Sequence, residues 1–151
     1  MNDDTSNPVF RGNGHSAFVL FPLGSKRFAL PAGLVSELAR PDQLQPFPHT
    51  TPLVTGVLVR RGKIVPVCDV AQVLIGSGAP ARRFYLIACR RLQGANEWTA
   101  IPVTGECILA HGKMLQPEAD SPAYVSGVLA EGEERIEILD LEKLTSGEAV
   151  A

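Results

Sequence analysis

Two segments 71 residues apart carry one pattern: Val54-Thr-Gly-Val-Leu-Val59 and Val125-Ser-Gly-Val-Leu-Ala130, each with an aspartate thirteen residues after its glycine, Asp69 and Asp140. The same offset sets Ala29-Leu30-Pro31 against Ala100-Ile101-Pro102. Three separated matches in one ungapped register describe two similar halves. Each half supplies about five short strands, enough for a small barrel and too few for a sandwich of its own. The expected fold is all-β with short helices, built as two packed five-stranded β-barrel subdomains.

The strand signals are local. Ala17–Leu23 and Arg27–Leu30 flank a Gly24-Ser25-Lys26 turn, and Pro31–Leu38 reads as a helical turn entering a strand. Arg40–Pro52 holds Pro41, Pro46, Pro48 and Pro52 and reads as a loop. Further strands are predicted at Arg83–Cys89, Trp98–Val103, Cys107–Ala110, Tyr124–Leu129 and Arg135–Leu139. Asp69–Ile75 reads as a short helix capped by Asp69, with Gln72 at its third position reaching back, and Asp140 is expected to cap a second helix. Gly76–Pro80 looks like a break between halves. Residues 1–16 are expected to be a disordered tail, 17–145 the folded domain and 146–151 a second tail.

Composition excludes several classes. Cys68, Cys89 and Cys107 are odd in number and set among apolar residues, which suits buried free thiols in a reducing compartment. The N-terminus lacks a basic region followed by an apolar run, and no apolar stretch approaches the length of a membrane span, so the expected location is the cytoplasm, without membrane insertion. His15, His49 and His111 have no cysteine or acid at ligand spacing, and no nucleophile–base pair is evident. The chain therefore reads as a non-enzyme with no cofactor and no metal. The net charge of −2 hides a central third at +6 (residues 54–94) and a final third at −8 (residues 95–151). Such a dipole permits contact with partners of either sign.

The stretch Gly56-Val-Leu-Val-Arg-Arg-Gly-Lys-Ile-Val-Pro-Val-Cys-Asp-Val70 reads as a hairpin with Arg60 and Arg61 at its tip. Gly56 and Gly62 are one residue too far apart for a phosphate loop, and Ile64 follows Lys63 where Ser or Thr is required. A small-barrel nucleic-acid-binding module is the alternative function, since Phe84 and Tyr85 adjoin Arg82 and Arg83. Against it stand a pI of about 5.9 and an aromatic content of 6%, which leave no overall basic footprint.

The same hairpin, with its Arg-Gly and its Ile-Val-Pro-Val-x-Asp-Val, resembles the signature of the CheW-like family, the coupling proteins of bacterial chemosensory arrays. Phe18–Gly24 with Phe28–Pro31, Leu34–Leu38, Tyr124–Leu129 and Ile136–Leu144 resemble other family segments in order and spacing. The resemblance implies an adaptor. One barrel edge would bind the regulatory domain of a CheA-type histidine kinase, and a groove between barrels would receive a chemoreceptor's helical tip. It carries coupling roles to Val35, Glu37, Gly56, Arg61 and Gly127, with Arg60 as a neighbour. Arg61 is the first candidate, because a guanidinium held at a hairpin tip offers five donors to a partner's carboxylates or carbonyls. Two departures stand out: Val59 where the family commonly has Asn, and Val103-Thr104-Gly105-Glu106, which puts Glu106 where an aliphatic side chain would face the receptor groove. They leave room for an accessory or pilus-type pathway.

Overall fold

Alternating burial along the strands sorts the apolar residues into two interiors and one shared seam. The computed structural model describes residues 15–40, 44–45, 54–76, 84–92 and 94–145. The elements are β1 (His15–Leu23), β2 (Lys26–Pro31), a 3₁₀ turn (Ala32–Leu34), β3 (Val35–Ala39), β4 (Leu44–Gln45), β5 (Val54–Arg60), β6 (Lys63–Cys68) and α1 (Ala71–Leu74). Then come β7 (Phe84–Leu92), β8 (Ala95–Val103), β9 (Ile108–Leu115), β10 (Val125–Glu131), β11 (Glu134–Leu139) and α2 (Leu141–Leu144).

β1-β2-β11-β10-β9 form a closed barrel, and β3-β7-β8-β6-β5-β4 form a six-stranded, barrel-like sheet. The repeat is real at the level of register. Val67 pairs in parallel with Ala100, and 71 residues away Ile138 pairs in parallel with Ala29. Both hairpins carry a bulge at the same place, between Val54 and Gly56 and between Val125 and Gly127. The repeats, however, exchange their first hairpins. β1 and β2 pack with β9–β11 of the second repeat, while β7 and β8 pack with β3–β6 of the first. The Gly76–Pro80 break thus divides the repeats and not the barrels; residues 77–83 lie outside the described residues.

The two barrel-like units differ by one short strand. β9 is a single strand joining β1 to β10, whereas its counterpart is two pieces, β3 against β7 and β4 against β5. Between them the sequence holds Pro41, which has no N–H to give a ladder. Two boundaries also move. Ser16, expected in the tail, is buried in β1, and Cys107 precedes β9 instead of opening it. The tails at 1–14 and 146–151 lie outside the described residues, as does most of the proline-rich loop.

The barrel interior is Phe18, Leu20, Ala29, Ala110, Leu129, Ile136 and Ile138; that of the sheet is Tyr85, Ile87, Ala100, Ala39, Leu58, Val65 and Val67. The two correspond position by position. The other face of the same strands supplies the seam, Phe21, Leu23, Phe28, Leu30, Leu86, Ile101 and Leu139, joined by Leu141 of α2 and neighbours. Strands buried on both faces explain unbroken apolar runs such as Phe28-Ala-Leu30 and Leu86-Ile-Ala88. With each large side chain contributing roughly 1.5–3 kcal/mol on burial, the seam is a fixed joint and not a hinge.

Both aspartates act at their helices, in different ways. Asp140 is the N-cap of α2 and accepts from Lys143 N–H at 3.1 Å. Asp69 accepts from Ala71 N–H at 3.3 Å. The N-cap of α1 is Val70, one residue later than expected, so Gln72 falls at the second helical position and is exposed. Of the cysteines only Cys68 is buried; Cys89 and Cys107 are half-buried. Burial pushes the Cys107 thiol up to about 11.

Candidate functional site

Each barrel has a mouth where interior-facing positions run out into solvent. In the six-stranded sheet, Glu37 lies two residues before buried Ala39, Arg60 two after Leu58, Lys63 two before Val65 and Trp98 two before Ala100. Strand alternation therefore points all four the same way, and they line a cleft of about 200 Å³ with Arg61, Val65 and Ile87. Glu37 and Arg60 form an ion pair across it, Arg60 Nη2 donating to Glu37 Oε1. That hydrogen bond, with further attraction from Arg60 and Arg61, holds the Glu37 carboxyl below its ordinary value against the opposing effect of burial.

The β5–β6 hairpin presents the arginines. Arg60 pairs with Lys63 across a two-residue loop, Arg61-Gly62. Both loop residues have positive φ, 53° at Arg61 and 77° at Gly62, as in a type I′ turn. Arg61 is the one non-glycine among the described residues with positive φ. A left-handed L-residue costs about 1–2 kcal/mol; the hairpin holds an arginine there and exposes its side chain. Behind the turn, Val59 and Ile64 pair across the outer face and are 44% and 70% exposed. Guanidinium groups next to an open apolar pair are the makings of a protein interface.

The equivalent mouth of the closed barrel inverts the charge. Arg60 and Lys63 correspond to Glu131 and Glu134, Trp98 to Arg27 and Glu37 to Ile108. Arg27 Nη2 donates to Glu134 Oε1 at 2.6 Å. The Glu134 carboxyl is correspondingly lowered by that hydrogen bond, and Arg27 is raised by it, with Glu131 adding to the effect. The tip Arg60-Arg61-Gly62-Lys63 is thus basic and the equivalent tip Glu131-Gly132-Glu133-Glu134 acidic.

Of the residues singled out in the sequence, Glu37, Arg60 and Arg61 come together here. The others do not. Val35 packs against the seam, because the bulge between Val35 and Glu37 turns the two to different surfaces. Gly56 and Gly127 are buried at the bulges of β5 and β10. Glu106 is exposed in the connection between β8 and β9, so the strand register through Val103 does not extend to it and does not aim it into a groove. Lys63, Ile64 and Trp98 were missed. The two-residue turn that sets Ile64 opposite Val59 was the available signal. The stacking surface needed for single-stranded nucleic acid is not formed by Phe84 and Tyr85: Tyr85 is 4% exposed and Phe84 packs against the seam. Arg82 and Arg83 lie outside the described residues. Among the described residues no three His, Cys, Asp or Glu side chains are grouped to hold a metal, and no helix is long and apolar enough to cross a membrane.

Known proteins share this fold. The chemotaxis protein CheW of Klebsiella aerogenes is 22% identical over 139 residues, 89% of this chain and 84% of that protein. The crystal structure of the scaffolding protein TtCheW from Thermoanaerobacter tengcongensis superposes with a TM-score of 0.69 at 22% identity, covering 85% of this chain and 90% of that one. Residues 17–149 match the CheW-like domain, and the chain belongs to the CheW-like family.

Proposed function

We propose that this chain is a non-catalytic chemosensory adaptor in the cytoplasm, coupling the tips of chemoreceptors to the regulatory domain of a CheA-type histidine kinase. The observation that carries the reading is the charge inversion between two structurally equivalent mouths. A repeated fold would offer one surface twice; opposite charges at matched positions make the two surfaces select different partners. The basic mouth with Val59 and Ile64 suits an acidic partner face with an apolar centre. The departures at Val59 and Glu106, both exposed, leave room for an accessory or pilus-type system. Coupling then follows from geometry: two partners held on a rigid joint bias one another's conformations.

The test is a pull-down of the full chain with a chemoreceptor cytoplasmic tip, a CheA-type regulatory domain and a labelled oligonucleotide. Simultaneous capture of both proteins, without salt-sensitive oligonucleotide binding, is the expected result. Capture of the oligonucleotide alone would overturn the adaptor reading in favour of the nucleic-acid one.

A further inference from the structure

The cleft at the basic mouth has a composition that contact with a protein face does not by itself require. Arg60, Arg61, Lys63 and Glu37 stand round its 200 Å³ together with Ser36 and Trp98. Three cations against one carboxylate leave a surplus of +2. Arg60 is fixed at the wall by its bond to Glu37, both side chains being part-buried, whereas Arg61 and Lys63 form no ion pair among the described residues. Trp98 is the chain's one tryptophan, is 38% exposed, and is the one aromatic among the described residues lining the cleft.

A part-exposed indole beside guanidinium and ammonium groups suits a planar ring that carries a phosphate: the ring stacks on the aromatic face, and the cations take the phosphate oxygens. A phosphate monoester carries about −1.5 to −2 at neutral pH, which matches the surplus of the cleft. The equivalent mouth of the closed barrel offers neither part. It has Glu131 and Glu134 for Arg60 and Lys63, and for Trp98 it has Arg27, which is already paired with Glu134. A strand of nucleic acid needs successive stacking platforms. One indole, in a cleft smaller than the roughly 300–1,000 Å³ of sites that enclose a drug-sized ligand, suits a single nucleotide whose sugar stays in solvent.

We infer that the basic mouth is a binding site for a free nucleoside monophosphate, with the base on Trp98 and the phosphate on Arg61 and Lys63, and that the bound nucleotide excludes the acidic partner from the same residues. The exclusion rests on the adaptor reading; the site does not. Competition follows because carboxylates of a partner and oxygens of a phosphate seek the same donors.

The experiment uses the full chain with AMP and GMP as probes, and the fluorescence of Trp98 reports occupancy without a label. At least one of the two nucleotides should quench it saturably, at concentrations at least tenfold below those needed with its nucleoside or with inorganic phosphate. Lys63→Glu, which copies the acidic mouth, should weaken that binding at least tenfold without lowering the melting temperature, and calorimetry should show the same loss in Trp98→Leu. Quenching by neither nucleotide, inorganic phosphate binding as tightly as the nucleotide, or parent-like affinity in Lys63→Glu would overturn the site. Saturating nucleotide should also weaken, at least tenfold, capture of the partner that Arg61→Gly loses; undiminished capture would overturn the exclusion. A parent chain that binds nucleotide and captures neither protein removes the adaptor reading and leaves the site, whereas capture without nucleotide binding does the reverse.

Discussion

Thr99 donates its hydroxyl to the Sγ of Cys68 at 3.2 Å, at two positions that the other repeat fills with Phe28 and Leu139. Both residues are almost fully buried, and the hydroxyl has a second acceptor only at the limit of bonding, Pro66 O at 3.5 Å. A sulfur needs no hydrogen bond, whereas a buried hydroxyl left without one costs about 1–3 kcal/mol. Thr99→Val should therefore change stability by less than about 1 kcal/mol, while Cys68→Ala should cost distinctly more. Urea midpoints of the two variants decide it. Equal losses would mean the pair is held by packing and not by the bond.

Arg61 can be separated from its turn. At φ 53° a glycine fits better than an arginine, by about 1 kcal/mol, and glycine's greater freedom in the unfolded chain offsets much of that gain. Arg61→Gly should leave the melting temperature within about 3 °C of the parent. The same variant should weaken binding of the partner at the basic mouth at least tenfold. Parent-like affinity in Arg61→Gly and in Arg61→Ala would remove the residue from the interface.

The Glu37–Arg60 pair should appear in the acid limb of stability. Glu37 is lowered in the folded protein, chiefly by the Arg60 hydrogen bond, so between its folded value and its ordinary 4.5 the unfolded chain binds more protons. Its contribution is fully present above about 4.5 and is lost as pH falls through the folded value. Parent and Glu37→Gln should therefore differ by a constant amount near neutrality, on the order of 0.5–1 kcal/mol for a part-buried pair, and converge in acid. Denaturant titrations at several pH values measure the difference. A gap that widens on acidification would contradict the assigned direction.

The repeat was legible because interior positions keep their size: Leu58 with Leu129, Val65 with Ile136, Val67 with Ile138, and alanines at 29 and 100 and at 39 and 110. What escaped was non-local. The β7–β8 hairpin is two residues longer in each arm than β1–β2, which shifts the offset and hides the match of Phe18 with Tyr85. The exchange of hairpins rests on the parallel contacts of β6 with β8 and β11 with β2, which leave no local pattern. The Glu37–Arg60 pair joins strands 23 residues apart through the curvature of the sheet. Glu106 misled because alternation was carried past Val103, where the strand ends.

Gly127 shows how a residue tied to coupling by resemblance can act through the fold. A Cβ there would lie 2.6 Å from Met114 Cγ and 2.9 Å from the carbonyl oxygen of Leu115, so β9 would have to move away from β10. Met114 is 44% exposed and its flexible side chain can yield, but the Leu115 carbonyl belongs to the backbone. Gly127→Ala should thus destabilise the protein by about 1–3 kcal/mol, as overpacking of a close contact does. Adding Met114→Ala should recover only part of the loss, because the carbonyl contact remains. Any loss of partner binding in Gly127→Ala should track the fraction folded, unlike that in Arg61→Gly. Full recovery of stability in the double variant would show that the side chain, and not the β9 backbone, sets the limit at this bulge.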